Sequence, residues 1–275
     1  MPVSKMIAVM NRQNAAIPGA IAKQTRNIEK AIGRIVRAHK EGRRVYFVGA
    51  GTSGRLGVLE AAELPPTFNV APDRFQALMA GGSGAVFHSK EGAEDDPAAV
   101  RSYLSKNLRA GDVVIGIAAS GVTAYVQSAL QTARRKRAGA VLLTCNPQSP
   151  LRRYADVSIA LDTGPELISG STRLKAGSAT KMVLNILTTL AMVRCGKTYR
   201  NRMVDVQIKS RKLEERALRL AQELGGATRE TARKALRESS GNAKTAIVML
   251  RKNISRAEAL RRLKKAAGFL AKSLA

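Results

Sequence analysis

Tryptophan is absent from this chain, aromatic residues make up only 4% of it, and cysteine and histidine occur twice each. Cys145 and Cys195 cannot build a disulfide framework, and neither they nor His88 stand at metal-ligand spacing, so a metal site is not expected. So few aromatics supply a stacking platform for single-stranded nucleic acid poorly. The opening Met1-Pro2-Val3-Ser4-Lys5 leads into no apolar signal-peptide core. The longest apolar stretch, about residues 182–193, is interrupted by Asn185 and is shorter than a bilayer span. A cytoplasmic protein without a membrane partner is the expectation. Acidic residues are also scarce: 20 Asp and Glu face 47 Lys and Arg, for a net charge of +27. The basic residues are spread widely, with small clusters at Arg134-Arg135-Lys136-Arg137 and Arg261-Arg262-Leu263-Lys264-Lys265. This distribution predicts solvated helix faces and weak, salt-sensitive attraction to polyanions, with no specific nucleic-acid site.

What is present suits a core. With 275 residues and 45% hydrophobic content, the chain can form one α/β domain of ordinary size plus a smaller appendage. Its organising stretch is Val45-Tyr46-Phe47-Val48-Gly49-Ala50-Gly51-Thr52-Ser53-Gly54-Arg55. A β-branched and aromatic run reads as a buried strand, ends in a glycine turn and passes into residues of helical composition. Strand, glycine turn and helix together present backbone amides to a phosphate, and Thr52 and Ser53 add hydroxyls. The plain alternative is a tight connection that binds nothing. A dinucleotide or P-loop reading fits less well, since the third glycine of the first and the Gly-Lys-Ser/Thr of the second are missing.

The rest of the chain extends the pattern. Residues 5–41 read as helix with a break near Pro18-Gly19, the second part packing on the sheet through Ile21, Ile28, Ile32 and Ile35-Val36. Leu64-Pro65-Pro66 is expected to stop the helix after the glycine turn. Phe75 to Met79 is a short strand, followed by a flexible loop over Ala80-Gly81-Gly82-Ser83-Gly84. Asp95 or Asp96 caps the next helix, with Pro97 in its first turn. Val113 to Ala118 is a strand ending in Ala119-Ser120-Gly121-Val122-Thr123, a second hydroxyl loop. Strands over Ala138–Thr144 and Val157–Leu161 follow, then a hydroxyl-rich turn at Ser169-Gly170-Ser171 and a long helix from about Leu174 to Arg194. This alternation predicts a doubly wound parallel sheet with its ligand at the carboxyl ends of the strands. The domain division expected is 1–222 for the part that binds a small phosphorylated ligand, with its N-terminal helices. Residues 223–275 would form a small helical subdomain of three segments separated near Gly241 and Ile254, with a capping pattern at Thr228-Arg229-Glu230.

Seven motifs carry a resemblance. They are Gly49-Ala50-Gly51-Thr52-Ser53-Gly54-Arg55, Glu63-Leu64-Pro65-Pro66-Thr67, Glu91-Gly92-Ala93-Glu94-Asp95, Ile117-Ala118-Ala119-Ser120-Gly121, Ser169 through Gly177, Met203-Val204-Asp205-Val206 and Asn242 through Met249. Together they closely resemble the N-acetylmuramic acid 6-phosphate etherases, which carry a sugar isomerase (SIS) domain and a small ubiquitin-associated-like helical tail. The resemblance implies a cofactor-free carbon–oxygen lyase of cell-wall recycling, working as a homodimer whose sites draw on both subunits. Its sugar-phosphate substrate loses D-lactate by elimination and then gains water.

By motif position, Glu63 matches the acid that assists lactate departure and Glu94 the base. Glu63 also stands just before the two prolines, near an expected helix end where the dipole disfavours negative charge. The substrate residues implied are Gly51, Thr52, Ser53, Ser120, Gly121, Thr123, Ser169 and Ser171. Two departures set a second reading beside the first. No Thr-Glu and Asn motif precedes residue 40, and Val122-Thr123-Ala124 stands where the family commonly has Arg-Thr-Pro. These favour a non-catalytic sugar-phosphate-binding regulator of the same fold, whereas the two glutamates favour the enzyme.

Overall fold

A computed structural model describes residues 1–205, 208 and 211–275; Val206 of the Met203-Val204-Asp205-Val206 motif lies outside them. Contacts divide the chain into two units, one of residues 1–61 and 73–189, the other of residues 62–72 and 190–275.

The first unit begins with helices α1 (Val3–Asn14), α2 (Ile17–Ala22) and α3 (Thr25–Lys40). The break expected at Pro18-Gly19 is corrected. Pro18 sits in the first turn of α2, where its missing amide has no partner to lose, and the chain interrupts its helices on either side of that segment instead. In α3 Ile28, Ala31, Ile35 and Ala38 are buried at helical spacing, and the helix touches the sheet as its periodicity predicts.

The sheet follows: β1 (Val45–Gly49), helix α4 (Gly51–Phe68), β2 (Phe75–Met79), helix α5 (Pro97–Asn107), β3 (Val113–Ile117), helix α6 (Ala124–Arg135), β4 (Gly139–Thr144), β5 (Val157–Ala160) and helix α7 (Lys175–Arg194). The strands pair in the order β2-β1-β3-β4-β5, every pair parallel. Residues of β1 and β3 are buried throughout, as a sheet covered on both faces requires. Tyr46, Val48, Val114 and Leu142 share a core with Val100 and Leu104 of α5 and Val126, Ala129 and Leu130 of α6. On the opposite face α4 crosses β1 so closely that a Cβ on Gly57 would lie 2.9 Å from Phe47 Cβ. Helices therefore cover both faces, which makes the sheet doubly wound. Asp96 caps α5 by accepting from the Ala98 amide, with Pro97 first in the helix as expected. The loop expected to be flexible after β2 forms a short 3-10 turn over Ser83–Val86.

Helix α7 is long and apolar enough to cross a membrane on length and composition alone, but 56% of that window is buried inside the fold. Burial on this scale is what a core helix shows.

The stop expected at Leu64-Pro65-Pro66 is also corrected. Both prolines lie inside α4, which continues to Phe68. Each removes an amide donor, yet the proline ring keeps a helical φ, and the Asn69 amide still closes on Pro65 O at 3.0 Å. Leu64 and Phe68, one turn apart, are buried and hold the final turn, and Asn69 then leaves the helix with φ 52°. Glu63 is thus not at the helix end: the helix continues five residues beyond it.

In the second unit a two-stranded antiparallel ribbon, β6 (Thr198–Tyr199) and β7 (Arg202–Met203), precedes α8 (Arg211–Gly225), α9 (Arg229–Glu238), α10 (Ala243–Lys252), α11 (Arg256–Lys265) and α12 (Leu270–Leu274). Breaks fall near Gly241 and Ile254, and α12 adds a further short segment. Ala217, Leu218 and Ala221 of α8 pack with Ala232 and Leu236 of α9 and Ala246 of α10. Thr228 caps α9 by accepting from the Thr231 amide; the reciprocal capping box lies at Ser255 and Glu258.

Asp205 forms the polar centre of this unit. Its Oδ2 accepts from Lys197 Nζ at 2.9 Å and from Lys244 Nζ at 3.1 Å. Lys244, itself buried, also donates to Gly196 O at 2.9 Å and Gly268 O at 3.1 Å. One carboxylate and one ammonium thereby join the ribbon, α10 and the turn before α12.

Candidate active site

In this sheet the strand order reverses between β1 and β3, since the chain leaves β1 toward β2 on one side and later builds β3 on the other. Such a reversal opens a crevice at the carboxyl ends of the two strands, where ligands bind in open α/β sheets. Gly49 pairs with Ile117, so the turn after β1 and the loop after β3 leave the sheet side by side.

Thr52 and Ser53 fall in the first turn of α4, half-buried, with the helix N-terminus behind them. The glycines around them have separate tasks. Gly49 and Gly54 face each other, and a Cβ on Gly54 would lie 2.7 Å from Gly49 O; they let the helix close onto its strand. Gly51 alone has open space where a side chain would project, and it borders the crevice.

The second loop is held from below. Cys145 N donates to Ala119 O at 3.1 Å, Asn146 Nδ2 to Ser120 O at 2.9 Å, and Ser149 Oγ to Gly121 O at 2.6 Å. Gly121 has φ 75°, and a Cβ there would sit 2.5 Å from Ser149 Cβ, so both its conformation and its packing require glycine. Ser120 is exposed, and Thr123 begins α6 without spending its hydroxyl on a capping bond. Val122 is 61% exposed on the same loop. Asn146 and Ser149 were not among the expected site residues. Their signal was their place, directly after β4 at the same end of the sheet.

Beside Gly51, at the ends of β1 and β2, lies a small cleft of about 130 Å³ lined in part by Arg55, Lys90 and Glu94. Arg55 donates to Val86 O at 2.8 Å and Ala85 O at 3.0 Å, and Lys90 Nζ to Gly81 O at 3.0 Å, so the cleft wall is pinned. Glu94 is exposed on a 3-10 turn, Ala93–Asp95, at the cleft edge.

Helix α7 brings the third hydroxyl turn toward the first. A Cβ on Gly177 would lie 3.7 Å from Thr52 Cγ2, and Ser169 and Ser171 stand in the turn that leads into this helix. Glu166 accepts from the Lys175 and Ala176 amides at 3.0 and 2.9 Å, which satisfies the start of α7 with the chain's own carboxylate. Glu63 is exposed, roughly three turns along α4 from Gly51, in the part of that helix belonging to the second unit.

Among the described residues no group of three or more His, Cys, Asp or Glu side chains is placed to share a metal ion. Cys145 is no thiolate nucleophile: burial pushes its thiol up to about 11, and its Sγ lies 3.6 Å from Ala176 O.

Comparisons with known proteins add to this geometry. Residues 27–134 match the glucokinase regulatory protein N-terminal SIS domain, and residues 93–190 the SIS domain. Phosphoheptose isomerase of Neisseria gonorrhoeae shares the fold, with a TM-score of 0.54 at 15% identity over 69% of this chain and 99% of that one. The NanR protein of Vibrio vulnificus, complexed with ManNAc-6P, has a TM-score of 0.51 at 18% identity over 70% and 64%. Much nearer in sequence is the N-acetylmuramic acid 6-phosphate etherase of Geobacillus thermodenitrificans, 46% identical over 100% of this chain and 93% of its own length. The etherase of Mycolicibacterium smegmatis is also 46% identical, over 98% and 90%. Identity at this level over essentially the whole chain places it in the N-acetylmuramic acid 6-phosphate etherase family.

Proposed function

We propose that this chain cleaves the lactyl ether of N-acetylmuramic acid 6-phosphate, giving N-acetylglucosamine 6-phosphate and D-lactate. The observation that carries this reading is the whole-chain similarity to enzymes of that name. The chemistry follows from the substrate. Once the sugar ring opens, the hydrogen on carbon 2 is α to an aldehyde, and Glu94, at the cleft edge, takes it as a proton. The carbon 3–oxygen bond breaks, Glu63 supplies the proton to the departing lactate oxygen, and an unsaturated aldehyde remains. Water adds across its double bond, and the ring closes. Two carboxyl groups in opposite protonation states meet the needs of this sequence without a cofactor.

In this reading the phosphate rests on Thr52, Ser53, Ser120 and Thr123 and on the Gly51 amide, with Gly121 shaping the second loop through its own amide bond to Ala118 O at 3.0 Å and the Ser169–Ser171 turn alongside. Replacing Ser53 and Ser120 together by Ala weakens sugar-phosphate binding by several kcal/mol, since hydrogen bonds to a charged group contribute about 1.5–3 kcal/mol each. Calorimetry with N-acetylglucosamine 6-phosphate measures it, and an unchanged affinity would sink the assignment. The active form is a cytoplasmic homodimer that serves amino-sugar and peptidoglycan recycling.

A second reading has its own support in the match to the glucokinase regulatory protein N-terminal SIS domain over residues 27–134. In it the chain binds the sugar phosphate without turnover. Incubating the purified protein with N-acetylmuramic acid 6-phosphate separates the two: free D-lactate supports the lyase, and tight binding without lactate supports the regulator.

A further inference from the structure

A second groove, which Glu94 does not line, flanks the first turns of α4. It is lined by Thr52 and Leu56 of α4 and by Arg173, Ser178, Lys181 and Met182 at the start of α7. Gly51 borders the Glu94 cleft and Thr52 borders this groove, so the two openings meet at consecutive residues. Arg173 is exposed and has no hydrogen-bond or ion-pair partner among the described residues. Lys181 is exposed too, and donates to Asn185 Oδ1. The Lys175 and Ala176 amides at the start of α7 are already taken by Glu166, so the positive charge of the groove comes from these two side chains.

We propose that this groove is the subsite for the lactyl group, with Arg173 and Lys181 holding its carboxylate. The inference rests on the etherase reading and deepens it. The substrate carries two anions: a phosphate on carbon 6 and the lactyl carboxylate on carbon 3. The hydroxyls and amides at the crevice suit a phosphate. The groove offers something different, two cations beside the apolar Leu56 and Met182, and this pairing matches a carboxylate next to a methyl group. A guanidinium binds a carboxylate through two parallel N–H donors, which orients the leaving group as well as attracting it. Neutralising that carboxylate also lowers the cost of the negative charge that grows on the ether oxygen as the bond breaks.

The product, N-acetylglucosamine 6-phosphate, keeps the phosphate and lacks the lactyl group, so it isolates the groove. Arg173→Gln is expected to weaken binding of N-acetylmuramic acid 6-phosphate by about ten- to hundred-fold, the range for one charge-assisted contact. Its affinity for N-acetylglucosamine 6-phosphate is expected to stay unchanged, and Arg173→Lys is expected to recover part of the loss. Lys181→Gln gives the same pattern on the second cation. Calorimetry with both ligands in the Glu94→Gln background, where the first is not converted into the second, reads this, and thermal melting confirms that the variants are folded. Equal losses for both ligands would make the groove part of the phosphate site, and no loss for either would leave it without this role. Each of these results overturns the proposal. An absence of D-lactate from the wild-type protein would overturn the etherase reading alone, because the ligand comparison still tests the groove.

Discussion

Glu94→Gln is expected to abolish both D-lactate release and the uptake of deuterium at carbon 2 from heavy water, whereas Glu63→Gln stops lactate release and leaves exchange measurable. The difference follows from the order of the steps. A base that removes the carbon-2 proton is needed for exchange and for everything after it. An acid that protonates the departing oxygen is needed only once the carbanion has formed. A carboxamide keeps the size of the side chain but neither gives nor takes a proton at useful pH, so each change costs about a hundred-fold or more in rate. Both glutamates are exposed, so neither substitution removes a buried contact, and circular dichroism is expected to match the wild type. Normal turnover by either folded variant would show that its glutamate has been given the wrong role. Exchange lost in both would merge the two roles into one step.

The sheet was legible because its strands are continuous apolar runs, and such runs have few alternatives once glycine or proline bounds them. β2 falls where its composition puts it, and β3 and β4 differ from expectation by one terminal residue. The hydroxyl loops could be placed for the same reason, since a loop that follows a buried parallel strand emerges at the ligand-binding end. What composition could not reveal was which polar side chains support those loops. Asn146 and Ser149 act on carbonyls 26 and 28 residues earlier, and no local pattern encodes a bond over that separation.

Proline misled for a related reason. Pro65-Pro66 is a strong local stop, yet burial of Leu64 and Phe68 outweighs the lost amide bonds. In the glycine turn both readings of the sequence have a share: Gly49 and Gly54 serve the tight contact between strand and helix, and Gly51 borders the cleft. The motifs around Asp205 and Lys244 could be recognised by resemblance, but their meeting could not be foreseen from either one alone.

That meeting carries the largest expected effect on stability. Asp205→Ala is expected to destabilise the second unit by about 3–5 kcal/mol, the usual cost of removing one partner from a buried ion pair. The loss is large because, among the described residues, Lys244 would remain buried with two carbonyls as its partners and Lys197 with its 3.4 Å contact to Asn69 O. Lys197→Met is expected to cost less, since Lys197 is the more exposed cation and Lys244 would still neutralise the carboxylate. Burial pushes the Asp205 carboxyl up, but the Lys244 and Lys197 ammoniums outweigh burial and hold it below its ordinary value. A carboxyl lowered on folding contributes stability that is fully present above its unfolded pKa, about 3.9, and is lost as pH falls through the lower folded value. The wild type is therefore expected to lose this contribution below about pH 4, while in Asp205→Asn the same acid limb is flatter. Urea midpoints at neutral pH and at successive steps down to pH 3 measure both effects. If Asp205→Asn kept the wild-type stability and its full acid sensitivity, the ion pair would have no part in holding α10 to the ribbon.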